Sequence, residues 1–214
     1  MQETDSFKTI FQFETEESRQ SVTINETGGR AKIRHLNIIS SGVDLFLLKE
    51  SFSNQLSSHF RKGSHCTRNA DGVLLFERPE GKAMVLCELK SSGGGVFDSA
   101  YQQAFSTYMK TCMTMSLCED FDISNFTVYF IFTAQKSPEL AVRQNELEQI
   151  DEAQRDFYGN VRLELLQGKQ VRFRMNQIPH NFSFLHHHLT DKEVVCMLLT
   201  SPTDSIDFNI STLT

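Results

Sequence analysis

Ala70-Asp71-Gly72-Val73-Leu74-Leu75-Phe76-Glu77 and, after a short break, Met84-Val85-Leu86-Cys87-Glu88-Leu89-Lys90 are two runs rich in strand-forming residues. An aspartate opens the first run and a Glu-x-Lys closes the second. Pro79-Glu80-Gly81 lies between them, proline presetting one backbone angle and glycine admitting a positive φ. The two runs are therefore expected to pair as an antiparallel hairpin. Successive side chains on a strand point to opposite faces, so Glu88 and Lys90 share a face while Leu89 turns into the core. Asp71 and Glu88 then stand side by side at one end of the sheet.

Downstream, Gly93-Gly94-Gly95 leads into a predicted helix from Asp98 to about Leu117, with Phe105, Tyr108, Met109 and Cys112 as its apolar stripe. Phe126 to Phe132 reads as the clearest buried strand of the chain. Upstream, Leu45, Leu48, Phe52, Leu56 and Phe60 fall at helical spacing behind an Asp44 cap and predict a helix of about four turns. Arg61 to Asn69 is expected to add a short strand near Cys66. Residues 44–134 thus read helix, short strand, strand, strand, helix, strand.

The flanks are less regular. The first forty residues are predicted to be β structure: Phe7, Ile10, Phe11 and Phe13 before an acidic turn, then the alternating runs 21–24 and 31–38 about Gly28-Gly29. A meander packed beside the core is the expectation. Pro138 suits the first turn of a third helix, running to about Phe157. Val161 to Leu166 does not distinguish helix from strand. Gln170 to Met175 alternates basic and apolar residues and predicts a strand with a basic face, Arg172 and Arg174 adding to Lys169. Thr190 to Thr200 is expected to be a short helix capped by Thr190 or Asp191.

The chain has 214 residues, 39% hydrophobic and 22% charged, with 18 Phe and no Trp, which suits one domain with a Phe-heavy core. That domain spans 1–214: a β-rich N-terminal elaboration over 1–40, a catalytic core over 44–134, and helices and strands completing it over 135–214. The apolar runs are too short for a membrane span and the N-terminus lacks signal-peptide character, so a cytoplasmic protein without a membrane partner is expected. Cys66, Cys87, Cys112, Cys118 and Cys196 are odd in number and show no Cys-x-x-Cys spacing, so reduced, mostly buried thiols are expected. The net charge of −6 runs against tight binding of nucleic acid by the chain alone.

Two carboxylates and an ammonium at one sheet end are what a Mg²⁺-dependent phosphodiesterase site needs. Hard oxygen ligands suit Mg²⁺, and a bound ion neutralises phosphate charge and lowers the pKa of its water. A second acidic-x-Lys triplet, Glu80-Gly81-Lys82, lies in the turn, where nothing orients it. The glycine run lacks the Lys-Ser/Thr of a nucleotide-binding loop and reads as a flexible entry to the site. His186-His187-His188 reads as a polar loop, since adjacent side chains diverge and rarely share one metal. Arg61, Lys62 and Arg68, like the basic strand, are placed either to contact phosphates or to balance the acidic N-terminal region.

On Asp71, Glu88-Leu89-Lys90 and the element order over 44–134, the chain resembles the restriction-endonuclease-like PD-(D/E)xK nuclease superfamily. The resemblance covers under half of the chain, and Ala70 stands where many members have proline. It implies an α/β fold, a mixed central sheet flanked by helices, with the N-terminal β-rich part as an elaboration. It further implies a Mg²⁺- or Mn²⁺-dependent nuclease, acting on DNA in preference to RNA, in prokaryotic defence, restriction or repair. Asp71 and Glu88 would hold the metal with the Leu89 carbonyl, and Lys90 would position the attacking water. Glu50 on the first helix, or Gln102 or Gln103 with Tyr108 on the second, would complete the site. The acidic charge adds the expectation of a protein partner or a homo-oligomer. Two other classes fit the same chain: an inactive interaction subunit that keeps the fold, and a small ligand-sensing domain.

Overall fold

The structure is a computed structural model that describes residues 2–11, 13–26, 32–62, 64–89, 96–178 and 187–213. Its helices are α1 (Gln2–Ile10), α2 (Glu50–Ser57), α3 (Val96–Met115), α4 (Pro138–Gln149), α5 (Phe157–Leu166) and the single turn α6 (His187–Thr190). Its strands are β1 (Thr15–Ser18), β2 (Ser21–Asn25), β3 (His35–Ile39), β4 (Leu45–Lys49), β5 (Gly72–Arg78), β6 (Gly81–Leu89), β7 (Phe126–Gln135), β8 (Val171–Arg174), β9 (Glu193–Ser201) and β10 (Ser205–Asn209).

Among the described residues, seven strands form one sheet in the order β1-β4-β5-β6-β7-β9-β8, and β10-β3-β2 form a second. β5 and β6 are the expected antiparallel hairpin, while β6, β7 and β9 run parallel. The fold is α/β with a mixed central sheet flanked by helices. Alternation along the strands sorts the core into two layers. Phe46, Val73, Leu75, Met84, Leu86, Phe130 and Phe132 pack with residues of α1, α2, α3 and α5. Leu47, Leu74, Phe76, Val85, Tyr129 and Ile131 face the other way and pack with Val22, Ile24, Leu36 and Ile38 of the small sheet. The helices named thus lie on one face of the large sheet and the small sheet covers the other.

Four sequence expectations are corrected. Leu45 to Lys49 is a strand, and the helix starts only at Glu50. Leu45, Phe46, Leu47 and Leu48 are all buried, and a strand covered on both faces is apolar at every position, which mimics helical spacing over so short a run. The same cause explains Val194 to Leu199, predicted as helix but forming β9 between β7 and β8. Phe7 and Ile10 belong to α1 rather than to a strand, and Phe11 follows directly, its N–H donating to the Phe7 carbonyl at 2.9 Å. The segment near Cys66 is a 3₁₀ turn, His65–Thr67, rather than a strand.

The third helix ends at Gln149. Asp151 and then Asp156 cap new turns, the Asp156 Oδ1 accepting from the Gly159 N–H at 2.7 Å, so α5 starts afresh across the segment that sequence left open. β8 carries its basic face as expected, Arg172 and Arg174 exposed and Val171 and Phe173 buried. All five cysteines are free and buried. No helix among the described residues is long and apolar enough to cross a membrane.

Candidate active site at the end of the central hairpin

The register of β5 and β6 pairs Gly72 with Cys87, so the next step outward sets Asp71 opposite Glu88. The Asp71 N–H donates to the Cys87 carbonyl at 2.9 Å, continuing the ladder. Its side chain turns onto the same strand, where Oδ2 accepts from the Leu89 N–H at 2.5 Å. Asp71 is 8% exposed and Glu88 only 1%. By alternation Glu88 points to the helix-covered face, with Met84 and Leu86.

Burial, then the Glu88 charge beside it, pushes the Asp71 carboxyl far above the usual carboxylate range. The Leu89 N–H works against that shift. The Glu26 carboxyl, within hydrogen-bond reach of Asp71 from just beyond β2, adds to it. Sequence reasoning missed Glu26. Forty-five positions separate it from Asp71, and only the packing of the small sheet against β5 brings them together. Gly72 makes that packing close, since a Cβ there would lie 2.9 Å from the Ile24 Cδ1.

Comparison with known protein families, curated proteins and solved structures finds no match.

The geometry of the site itself sorts the remaining candidates. Glu50, the first residue of α2, and Asp71 line one pocket of about 280 Å³ together with Glu14, Glu16, Lys49 and Ser51. Lys49 lies opposite Gly72 in the sheet, and its ammonium is 2.9 Å from Glu14 and 3.7 Å from Glu16. The Glu50 Oε1 accepts from the Asn54 Nδ2 at 3.2 Å, one turn along α2. Lys90 and the run Gly93-Gly94-Gly95 lie outside the described residues, as does His186. His187 and His188 form an exposed turn with their rings 4.4 Å apart.

Gln103 faces the segment that leads into Asp71, its Nε2 donating to the Asn69 carbonyl at 3.0 Å. Gln102 is buried at 7% exposure. Tyr108 is fully buried and its hydroxyl donates to the Leu189 carbonyl at 3.3 Å, so it serves the core beside α6.

The donor set suits a hard divalent cation. Two buried carboxylates on adjacent strands repel each other unless one holds a proton or an ion lies between them. Among the described residues no group of three or more His, Cys, Asp and Glu side chains is arranged to hold a metal ion. An ion taken by Asp71, Glu88 and the Leu89 carbonyl would therefore complete its shell with water and phosphate oxygens, as Mg²⁺ commonly does.

A second signal in α3 went unread. Thr107, Lys110, Thr111 and Thr114 recur at helical spacing as a polar stripe beside the apolar one, and all four are buried. The Thr107 hydroxyl accepts from the Ala70 N–H at 2.8 Å.

Proposed function

We propose that this chain is a Mg²⁺- or Mn²⁺-dependent phosphodiesterase acting on nucleic acid, DNA in preference to RNA, on a restriction-endonuclease-like core. The observation that carries the reading is the facing of Asp71 and Glu88 across the β5–β6 hairpin, both buried and set at the end of the sheet. In this reading the two carboxylates hold the metal with the Leu89 carbonyl. Bound there, the ion would neutralise phosphate charge and lower the pKa of a water. In this reading Lys90, two residues after Glu88 in the sequence, would orient the attacking water. The Leu89 N–H holds the Asp71 carboxyl in one orientation, which lowers the reorganisation needed when the ion binds.

Glu14, Glu16 and Glu50 make the neighbouring pocket acidic, and the chain carries a net charge of −6. Grip on a polyanion then comes from a partner protein or a second copy rather than from the rim of the site. Prokaryotic defence, restriction or repair is the setting we assign to such an enzyme.

One observation favours a second reading. The bond from the Leu89 N–H to the Asp71 Oδ2 by itself ties two strands together, as it would in an interaction subunit that keeps the fold without the chemistry.

The test is cleavage of plasmid, linear duplex, single-stranded DNA and RNA in Mg²⁺ and Mn²⁺, beside Glu88→Ala and Lys90→Ala. Metal-dependent cutting that both substitutions abolish is expected. Absence of cutting together with absence of thermal stabilisation by either metal would leave the interaction subunit standing.

A further inference from the structure

Lys110 is 1% exposed, inside the layer where α2 and α3 meet the segment before β5. Lysines are almost never so buried unless their charge is met by partners. Here the ammonium donates to the Ser57 Oγ at 2.8 Å, to the Arg68 carbonyl at 2.9 Å and, in its shortest contact, to the Asn69 Oδ1. Three donors thus meet three acceptors, one on α2 and two on the chain entering the hairpin.

The same short segment is held from other sides. The Ser57 hydroxyl is 2.8 Å from the Asn69 Oδ1, and the Asn69 Nδ2 donates to the Asn54 Oδ1 at 2.5 Å. Asn54 in turn donates to Glu50. From α3, Gln103 donates to the Asn69 carbonyl and Thr107 accepts from Ala70. Apart from the Lys110–Ser57 and Asn54–Glu50 bonds, these contacts fall on Arg68, Asn69 or Ala70, immediately before Asp71. Lys110 is the only charged member of the set that touches the segment, and hydrogen bonds to an ionised donor are about twice as strong as neutral ones.

We propose that Lys110 is the positioning residue of this site: its three-way clamp on Ser57, Arg68 and Asn69 sets where the Asp71 carboxyl stands opposite Glu88. The inference rests on the phosphodiesterase reading for its functional meaning, but the clamp has a consequence that is read without metal. The Leu89 amide, held by the Asp71 Oδ2, reports the place of the carboxyl.

The experiment compares wild type with Lys110→Met and with the milder Ser57→Ala, by amide NMR in chelator and by Mn²⁺ titration well below the melting temperature of each variant. In Lys110→Met the Leu89 amide proton is expected to move upfield as its bond to Asp71 lengthens. Mn²⁺ affinity is expected to fall roughly ten- to a hundredfold, as for other residues that hold a metal ligand in place. Ser57→Ala is expected to move both in the same direction by less, and it decides the matter if Lys110→Met does not fold. A lowered melting temperature with the Leu89 amide and the Mn²⁺ affinity unchanged would overturn the proposal and leave the phosphodiesterase reading intact. A moved Leu89 amide in a protein whose wild type binds no Mn²⁺ would uphold the clamp and sink the phosphodiesterase reading instead.

Discussion

Asp71 is where electrostatics and fold pull hardest against each other. Burial and the neighbouring Glu88 hold its folded pKa far above the ordinary value of about 3.9. Once pH passes that ordinary value, the unfolded chain has lost a proton that the folded chain keeps. The folded state then binds more protons, so metal-free stability falls as pH rises towards the raised folded pKa. Asp71→Asn removes this dependence and keeps an acceptor for the Leu89 N–H. Melting in chelator from about pH 4 to about pH 9 should show the variant gaining on wild type as pH rises, the two converging at the acid end. A gap that does not change with pH would mean that Asp71 is ionised in the fold. At this scale Asp71 and Glu88 were legible because period-two alternation and one turn suffice to pair them. Glu26 and Lys110 were not, since each meets the site from an element distant in sequence. Gln102 or Gln103 is the sequence's candidate to complete the site, and the structure sets the Gln103 amide on the Asn69 carbonyl.

Among the elements, β5 joins the two layers of the core. Its residue Gly72 sits directly under Ile24, which is 2% exposed, and a Cβ would approach the Ile24 Cδ1 to 2.9 Å and Cγ1 to 3.1 Å. Gly72→Ala is expected to cost about 1–3 kcal/mol, the usual range for overpacking a filled core, measured by urea unfolding. An unchanged urea midpoint would show that β2 yields freely above the site. Two of the misread elements share one cause. β4 and β9 are covered on both faces, so their apolar runs carry no period to read. β5, β6 and β7 escaped the error because turn residues or a helix start bracket them.

At the scale of the whole molecule, α1 closes one edge of the helical layer with a cluster of phenylalanines. Phe7 is fully buried, its ring 5.0 Å from Phe11, 5.9 Å from Phe13 and 6.0 Å from both Phe46 and Phe52. It thereby binds the N-terminal helix to β4 and α2, the elements that carry Glu50 to the site. Phe7→Ala is expected to lose about 3–5 kcal/mol of stability by chemical denaturation, the range for emptying a buried aromatic site. A loss under about 1 kcal/mol would show that α1 is a dispensable cover. The two-layer packing also explains why the N-terminal region reads poorly: α1 and β1 serve the large sheet, whereas β2 and β3 form a separate one with β10 from the far end of the chain.

What sequence by itself determined here is the local part: the β5–β6 hairpin, its Asp71 and Glu88, the helix after the glycine run, and β7. Each rests on periodicity and turn chemistry within about twenty residues, where backbone geometry alone decides which side chains are neighbours. Tertiary structure decided which apolar runs are strands, because burial on the second face depends on what another element covers. It also decided which groups reach the site. Glu26 arrives with the small sheet, Glu50 with the start of α2, and Lys110 through the seam between two helices, all contacts that exist only once the layers have closed.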